Sequence, residues 1–248
     1  MSLVVDQLSL HYGQLRALEK ISVQAKAGRI TALIGPNAAG KSTLLKCIVG
    51  GLRPTAGCVL IDDRPAHRLS AATLARRIAY VPQRSVVSAA FTVREVVELG
   101  RYALPQSRAR VDDALGRLDL IDVADRPFPS LSVGQQQRVT LARAVAQLSE
   151  DGHLLTDEPT SAMDLKHVRQ SLQLLRRLAD GGATVLIAIH DLARAVMISD
   201  ETWLLAGARL VAAGETRKVM DLKRLESVFG VRFEWIERPG KTPILHAC

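Results

Sequence analysis

A glycine-rich loop between a strand pattern and a helix pattern constrains this chain more than any other feature. Residues 35–43 fit G-x-x-x-x-G-K-[ST], the pattern of a phosphate-binding loop. The apolar residues 29–34 predict a buried strand before it, and residues 44–49 continue as a helix after it. The alternative is a strand-to-helix turn that merely contains two glycines and a lysine, and the two correct flanks disfavour it.

The loop supplies the groups that a bound phosphate chain needs. Its backbone N–H groups and the positive end of the following helix dipole face the phosphates. Lys41 reaches the β- and γ-phosphates, and the Ser42 hydroxyl binds magnesium. The predicted binding residues are Gly35, Pro36, Asn37, Ala38, Ala39, Gly40, Lys41, Ser42 and Thr43.

Length and charge restrict the class of protein. The 248 residues suit one large domain or two small ones. The 33 Lys and Arg residues against 25 Asp and Glu leave a net charge of +8, which permits binding to nucleic acid or to an anionic membrane face. The basic residues form no long block and do not alternate with aromatics, so we favour a generally basic surface and expect no nucleic-acid partner.

The sequence carries no pattern for membrane insertion or secretion. No apolar run approaches the roughly 18 residues of a membrane span, and the N-terminus lacks the regions of a signal peptide. Cys47, Cys58 and Cys248 match no metal or redox spacing. We therefore expect a soluble, cytosolic protein with reduced thiols.

Two carboxylates follow a second predicted strand. Residues 153–156 read as the strand, and Asp157, Glu158 and Pro159 come directly after it. Proteins with a phosphate-binding loop place a magnesium-binding acid at the carboxyl end of a parallel strand. Glu158 could then orient or deprotonate a water molecule. A solvated acidic loop is the alternative, and the position between a strand and a proline weakens it.

Three single residues have both a functional and a structural interpretation. The Tyr12 ring can stack on an adenine base or close a strand end, and the residues around it do not separate the two. Gln83 follows a predicted strand and could reach magnesium or a water molecule, but most glutamines at loop starts have no such role. His190 follows the buried strand pattern 184–189, at the mouth of the same sheet as Asp157, and this position favours a functional role.

From residue 92 to about residue 148 the pattern changes to helices. Ser132 and Gln135 predict a capping box at the start of one of them, which is the structural interpretation of residues 131–138. Three consecutive glutamines after Gly134 are unusual for a cap alone, and a helix N-terminus is also an anion site. Both interpretations remain open at this point.

The last third of the chain predicts core elements. Residues 165–179 form an amphipathic helix, followed by a buried strand, a hairpin around Gly207, a helix from Leu222 and a final pair of strands. The predicted core face of the amphipathic helix consists of Leu165, Val168, Leu172, Leu175 and Leu178.

In their order along the chain, these motifs resemble those of the ATP-binding subunits of ABC transporters. The resemblance covers nearly the whole chain, and the signature motif is specific to this family. The matching segments are the adenine-stacking aromatic Tyr12, Walker A at 35–42, the Q-loop glutamine Gln83, the signature at 131–135, Walker B ending at Asp157 with Glu158 adjoining, the D-loop at 161–164 and the switch histidine His190.

The resemblance implies a fold and a chemistry. We expect one ABC-type domain over residues 1–248, an α/β phosphate-binding-loop fold with an N-terminal antiparallel β region and a helical subdomain at about 84–148. It implies ATP and magnesium as cofactors and ATP hydrolysis as the reaction. Ser42, Gln83 and Asp157 would lie in the metal shell.

The resemblance also implies a role for each site residue. Lys41 stabilises charge in the transition state, Glu158 acts as general base or positions the water, and His190 holds the γ-phosphate. Two subunits pack head to tail in this family, so Ser132 and the Gly134 N–H contact the nucleotide held by the partner copy. The implied nucleotide contacts outside Walker A are Tyr12, Gln83, Ser132, Gly134, Gln135 and Asp164.

The family resemblance names further partners and a substrate class. It implies a polytopic membrane permease, an external substrate-binding protein reached only indirectly, and a peripheral location on the cytoplasmic face of the membrane. Residues 92–101 and 226–230 look like those of importers for ferric siderophores, haem and cobalamin. Those importers usually have Pro-His soon after Gly-Arg, whereas residues 102–105 of this chain are Tyr-Ala-Leu-Pro. We expect an iron-chelate or haem importer first and cobalamin next.

Three other classes remain as alternatives. A soluble ABC ATPase that acts on DNA or the ribosome usually carries a long coiled-coil insertion or two nucleotide domains, and this sequence has neither. An exporter subunit is often fused to its membrane domain. A module that binds ATP without turnover is disfavoured by Glu158 and His190.

Some positions depart from the family pattern. Ala38 replaces a Walker A glycine, which strains the loop if that position needs a positive φ. Val133 replaces the first signature glycine and leaves the second, Gly134, intact. His153 and Thr156 stand where Walker B is usually apolar, so we expect this strand to be less buried. None of these changes removes a catalytic group, and we expect slower turnover at most.

Overall fold

Two packed sheets, a two-stranded hairpin and a set of helices make up the described part of the molecule. The computed structural model describes residues 2–84, 87, 91–238 and 241–248, without the side chains of 241 and 242, so residues 85, 86 and 88–90 of the expected helical subdomain lie outside it. The strands are β1 Ser2–Tyr12, β2 Leu15–Lys26, β3 Ile30–Ile34, β4 Ala56–Ile61, β5 Arg64–Pro65, β6 Ile78–Val81, β7 His153–Asp157, β8 Thr184–Ala188, β9 Glu201–Ala206, β10 Arg209–Glu215, β11 Phe233–Arg238 and β12 Lys241–Ala247. The helices are α1 Lys41–Ile48, α2 Ala71–Arg77, α3 Val93–Glu98, α4 Arg108–Arg117, α5 Val133–Gln147, α6 Leu165–Asp180, α7 Leu192–Ile198, α8 Thr216–Val219 and α9 Leu222–Phe229.

A six-stranded sheet in the order β10-β9-β3-β8-β7-β6 forms the centre of the described part of the chain. Its strands are parallel except for β10, which pairs antiparallel with β9. The carboxyl ends of parallel strands meet at one edge of a sheet. The glycine loop after β3, the carboxylates after β7 and His190 after β8 therefore come together at that edge.

The core lies on both faces of this central sheet. Alternating residues of one strand enter different clusters: Leu154 packs with the helices on one side, and Leu155 packs with α1 and the second sheet on the other. All residues of β3, β7 and β8 are buried. Near-continuous burial is typical of parallel strands covered on both faces.

The expectation that β7 would be less buried is wrong. His153 and Thr156 are both 0% exposed, because β7 lies between β6 and β8 with a hydrophobic layer on each face. His153 Nε2 lies 3.7 Å from Asp62 Oδ1. Burial lowers the pKa of His153, and the Asp62 charge opposes this only in part.

A four-stranded antiparallel sheet in the order β2-β1-β4-β5 covers α1 and one face of the central sheet. The predicted N-terminal antiparallel β region is confirmed for β1 and β2. The other two strands of the sheet follow α1 in the chain, so this region is not one continuous segment. A separate hairpin of β11 and β12 ends the chain, as predicted.

The helices α3, α4 and α5 lie between β6 and β7 in the chain. Thr92 and Glu95 form a capping box at the start of α3. The pair Gly100-Arg101 then packs on α5: a Cβ on Gly100 would lie 2.3 Å from the Arg143 carbonyl oxygen. Arg101, 7% exposed, donates to the carbonyls of Ala146 and Pro105. This pair therefore has a structural role in docking the turn 99–101 onto α5.

The predicted core face of α6 is only partly correct. Val168 and Leu175 are buried, and Leu172 and Leu178 pack half-buried against the core. Leu165 is 81% exposed, since it occupies the first helical position directly after the capping residue Asp164. Among the helices of the described residues, none is long and apolar enough to cross a membrane.

Candidate nucleotide-binding site

The glycine loop that follows β3 depends on backbone conformations that suit glycine. Gly35 has φ 149°, and a Cβ there would lie 2.1 Å from the Leu205 carbonyl oxygen. Gly40 has φ 102° and would place a Cβ 2.7 Å from the Ala17 carbonyl oxygen. Ala38 has φ 60°, so the position where this chain departs from the family pattern does require left-handed backbone. The expected strain in the loop is therefore present.

Lys41, the first residue of α1, is only 7% exposed. Its ammonium donates to the carbonyl oxygens of Gly35 at 2.7 Å and Pro36 at 3.1 Å. Burial lowers the pKa of Lys41, and the negative charges of Glu158 and Asp157 oppose that shift. The lysine thus lies between the loop and the two carboxylates that follow β7.

Asp157 ends β7 and is 2% exposed. Burial raises the pKa of this carboxyl group, with the Glu158 charge acting in the same direction and interaction with the Ser42 hydroxyl in the opposite one. Its Oδ1 atom is buried and has no hydrogen-bond partner among the described residues. An unpaired carboxylate oxygen beside a hydroxyl fits a hard divalent cation such as Mg²⁺.

A search of the described residues finds no group of three or more His, Cys, Asp or Glu side chains that could hold a metal. The predicted magnesium ligands are one hydroxyl, one amide and one carboxylate, so such a group is not required. Magnesium at a nucleotide is typically held by one or two carboxylates together with phosphate and water oxygens.

Glu158 and His190 form the next layer of the site. The imidazole Nε2 of His190 lies 2.5 Å from Glu158 Oε1, with side chains 43% and 16% exposed respectively. Glu158 has φ 50°, a strained value for a residue other than glycine, and its N–H donates to the Ala188 carbonyl. The strand β8 therefore positions both the backbone of Glu158 and the side chain that contacts its carboxylate.

Most of the predicted residues line one cleft of about 510 Å³. Those that line it are Tyr12, Asn37, Ala38, Ala39, Gly40, Lys41, Ser42, Thr43, Gln83, Glu158 and His190. Gly35 and Pro36 lie outside its lining, where their carbonyls accept from Lys41. The cleft is also lined by Leu15, Arg16 and Ala17, which were not among the predicted residues.

The missed residues belong to the start of β2. Tyr12 pairs with Leu15 across a tight turn, so the hairpin carries both strand ends to the glycine loop. No strand is predicted over residues 15–22 from the sequence, whereas β2 begins at Leu15. An earlier strand start, with the Gly13-Gln14 turn as its signal, would have placed Arg16 beside Tyr12.

The signature residues do not line the cleft that contains the glycine loop. Ser132 and Gln135 form the predicted capping box at the N-terminus of α5. A separate cavity of about 380 Å³ is lined by the signature and by residues 162–164 and 167, and Lys41 and Glu158 are not among its lining. Within one chain, the remaining predicted contacts Ser132, Gly134, Gln135 and Asp164 are therefore not brought to the glycine loop.

The D-loop end of that cavity has a structural function as well. Asp164 caps α6 by accepting from the His167 N–H at 3.0 Å, and its other oxygen lies 2.7 Å from His167 Nδ1. The hydrogen bonds with His167 hold the pKa of Asp164 below its usual value. Its side chain is thereby fixed at the start of α6.

Known proteins resemble the chain in sequence and in fold. The family model described as ABC transporter matches residues 18–161. The hemin import ATP-binding protein HmuV of Pseudomonas entomophila is 42% identical over 92% of this chain and 92% of its own length. The cobalamin import ATP-binding protein BtuD of Halobacterium salinarum is 40% identical over 94% of this chain, but the match spans only 60% of that relative's length.

A solved structure gives the same result for the fold. A chain described as a metal-chelate type ABC transporter in an inward-facing conformation superposes with a TM-score of 0.81 and 29% identity, covering 100% of this chain and 97% of its own. The sequence-based expectation of an ABC-type α/β fold is thereby confirmed. The chain belongs to the ABC transporter family, as a member with the fold of its ATP-binding subunits.

Proposed function

We propose that this chain is the ATP-hydrolysing subunit of a membrane importer whose substrate is an iron chelate or haem, with cobalamin as the next candidate. The observation that carries the hydrolytic part is the cleft in which Lys41, Glu158 and His190 surround the glycine loop. The substrate class rests on the relatives named for hemin and cobalamin import. We assign all 248 residues to one ATP-binding domain, with residues 84–148 as its helical subdomain.

The chemistry follows from the positions of the side chains. Glu158 accepts a proton from the attacking water or orients it, and His190, 2.5 Å away, holds the carboxylate and the γ-phosphate in place. Lys41 and the loop N–H groups stabilise the charge that develops on the phosphate oxygens. Mg²⁺ held by Ser42, Gln83 and Asp157 would neutralise phosphate charge. Tyr12, at the rim of the cleft and half exposed, stacks on the adenine.

The complete site requires two copies of the chain. The signature residues line a different cavity from the glycine loop, so they serve a nucleotide that another molecule holds. In a head-to-tail homodimer, Ser132, Gly134, Gln135 and Asp164 of one copy close over the ATP bound by the other. The N-terminus of α5, a helix of 15 residues, suits a phosphate.

A second cleft suits the membrane partner. A groove of about 560 Å³ lies between α2 and β6 on one side and the turn 99–101 and α5 on the other. Leu99 and Tyr102 are 44% and 65% exposed at this groove. Tyr80 lines its floor, and burial together with the Asp157 charge raises the pKa of Tyr80 to about 12. Tyr80 thus lines the groove and is close enough to Asp157 to respond to its charge.

We assign this groove to cytoplasmic segments of a polytopic permease, which places the chain at the cytoplasmic face of the membrane as a peripheral subunit. The external substrate-binding protein then acts on it only through the permease. ATP binding closes the dimer and hydrolysis opens it. These movements change the conformation of the permease.

The decisive experiment isolates the tagged chain from gently solubilised host membranes and identifies its companions by mass spectrometry. We expect a multi-helix permease, and haem, ferric siderophores and cobalamin are then tested as stimulants of ATP hydrolysis by the complex. Recovery with ribosomal or DNA-repair proteins would overturn the transport proposal in favour of a soluble ABC ATPase. If an intracellular compound stimulates ATP hydrolysis by the complex and the three imported compounds do not, the result would favour an exporter.

A further inference from the structure

The three consecutive glutamines of the signature helix have three different functions. Gln135 completes the capping box with Ser132. Gln136 Nε2 donates to the carbonyl oxygens of Phe128 at 3.3 Å and Leu131 at 3.2 Å, and these bonds stabilise the turn before α5. Gln137 faces another part of the molecule. It connects α5 to the segment that carries the catalytic glutamate.

Gln137 makes contacts on both sides of its amide group. Its Nε2 donates to the Glu158 carbonyl oxygen and to Ser161 Oγ, each at 3.0 Å. Its Oε1 accepts from the Ala162 N–H at 3.0 Å. The orientation of the amide follows from these partners, because a carbonyl oxygen requires a donor and an N–H requires an acceptor.

The Glu158 backbone needs such support. Its φ of 50° is in the left-handed region, and the following Pro159 further restricts the conformations open to it. Its N–H is bound to the Ala188 carbonyl, and its C=O accepts from Gln137 and from the Ser161 N–H. Strained backbone at a functional site persists only when its surroundings determine it. Gln137 is the part of those surroundings that comes from α5.

A second contact joins the same two segments. A Cβ on Gly134 would lie 2.6 Å from the Ala162 carbonyl oxygen, so the first turn of α5 packs directly on the D-loop. Ser132 caps this helix, and Gln137 lies in its second turn. The signature and Gln137 thus lie within two turns of one continuous helix. A displacement of the signature residues would act on residues 158–162 of the same chain through Gln137 and Gly134.

We propose that Gln137 is a positioning residue that couples the two composite ATP sites of the dimer. This inference rests on the proposed function, because it requires the signature of each chain to contact the partner's nucleotide. When the signature of one copy engages that nucleotide, α5 and Gln137 set the backbone of Glu158 in the same copy. Each Glu158 is then aligned for its own ATP only after its chain has engaged the other ATP.

The first test does not involve catalysis. It measures the hydrogen bond between Gln137 and the Ala162 N–H, which is called the tether below. Hydrogen exchange is followed at the Ala162 amide in the wild-type chain and in the Gln137→Leu and Gln137→Glu variants. We expect rapid exchange in Gln137→Leu, and protection in Gln137→Glu, because the introduced carboxylate still accepts from the Ala162 N–H but cannot donate to the Glu158 carbonyl. Equal protection in wild type and Gln137→Leu would overturn the tether.

The second test separates kcat from KM in the complex with the membrane partner. Both Gln137 variants should lower kcat about tenfold, because each loses one or two hydrogen bonds that orient Glu158. The KM for ATP should change less than about twofold. The matched control is Thr140→Val, since Thr140 lies buried on the same helix, lines none of the three clefts described above, and its hydroxyl donates to the Gln136 carbonyl. The control should lower thermal stability without this selective loss of kcat.

The third test uses mixed dimers purified through two different tags. One copy carries Glu158→Gln, so that only the other copy hydrolyses. With Gln137→Leu in the copy that keeps Glu158, kcat should fall by the same factor of about ten. With Gln137→Leu in the Glu158→Gln copy, kcat should change little. Equal losses in the two arrangements would show that Gln137 does not act on the Glu158 of its own chain.

Failure of the inference is distinguishable from failure of the proposed function. A wild-type complex that hydrolyses ATP while both Gln137 variants match the Thr140→Val control contradicts only the coupling. A wild-type complex without hydrolysis contradicts the proposed function. The exchange of the Ala162 amide then still decides whether the tether exists.

Discussion

His190 Nε2 and Glu158 Oε1 lie 2.5 Å apart at the ends of two adjacent parallel strands, β8 and β7. The contact is close because the Glu158 N–H is also bound to β8, at the Ala188 carbonyl. A carboxylate held at both its backbone and its side chain has few orientations, which suits a group that must face one water molecule. This relationship leads to the first prediction.

Replacing Glu158 with Gln should remove proton acceptance while keeping the size of the side chain. We expect ATP hydrolysis to fall by about 100-fold or more, with nucleotide affinity changed less than about threefold. Phosphate release and a fluorescent-nucleotide titration measure the two effects. Lys41→Ala is the reference for an inactive site, and a wild-type rate equal to that of Lys41→Ala would contradict the proposed activity.

Removal of magnesium tests the role of Asp157. In the wild-type chain, chelation of divalent ions should weaken ATP binding at least about tenfold, since the buried Asp157 Oδ1, which has no hydrogen-bond partner among the described residues, would help to hold the metal. Asp157→Asn should bind ATP weakly with or without the metal. An affinity that is equally sensitive to chelation in both proteins would exclude Asp157 as a ligand. Isothermal titration in the presence and absence of a chelator gives the comparison.

The Ala38→Gly substitution should stabilise the protein. Ala38 has φ 60°, and left-handed backbone costs a residue with a Cβ about 1 kcal/mol more than glycine. For a chain of this size we expect a rise in melting temperature of about 2–4 °C. Calorimetry measures the change, with Ala39→Gly as the control. Ala39 is 2% exposed and has no positive φ, so its replacement should lower stability instead.

His153 should make the protein sensitive to mild acid. Its pKa is lowered by burial, so below the ordinary value of about 6.5 the unfolded chain binds a proton that the folded chain does not. Stability is therefore lost as the pH falls, by about 1 kcal/mol at a pH of about 5.5. Asp62 faces this histidine and also contacts Arg77, so the carboxylate keeps a partner in a His153→Leu variant.

Denaturant unfolding at several pH values between about 7.5 and 5.5 tests this prediction. His153→Leu should show a flatter dependence on pH than the wild type and higher stability at the acid end, because it also removes two buried nitrogens that have no hydrogen-bond partner among the described residues. The exposed His67 provides the control, and His67→Gln should leave the slope unchanged. Parallel pH curves for wild type and His153→Leu would refute the assignment.

Replacing Arg101 with Met should destabilise the helices that follow β6. The guanidinium is 7% exposed and bonds the carbonyls of Pro105 and Ala146, which would lose a charged donor. We expect a loss of about 2 kcal/mol in the free energy of unfolding. Arg117→Met, which removes an exposed pair with Asp113, should cost less than about 1 kcal/mol. Similar losses in the two variants would contradict the structural role of Arg101.

Much of the site was predictable because its motifs are local. A phosphate-binding loop, a capping box or a buried strand depends on residues only a few positions apart, so the residues 35–43, the cap at Ser132 and the strands before Asp157 and His190 are visible in sequence. The convergence of these strands followed from one rule, that parallel strands end at a common edge. The start of β2 was missed, and Arg16 with it, because a hairpin register is set by pairing across the turn.

The sequence by itself determined which chemical groups this protein carries and which short segments present them. Only the tertiary structure decided where they meet. It buried His153 and Thr156 between two hydrophobic layers, separated Ser132 and Gly134 from the glycine loop, and joined Gln137 to the Glu158 carbonyl. Burial and contact between distant segments depend on how sheets and helices pack together. No spacing along the chain encodes that packing, whereas helix caps and strand patterns depend on neighbouring residues alone.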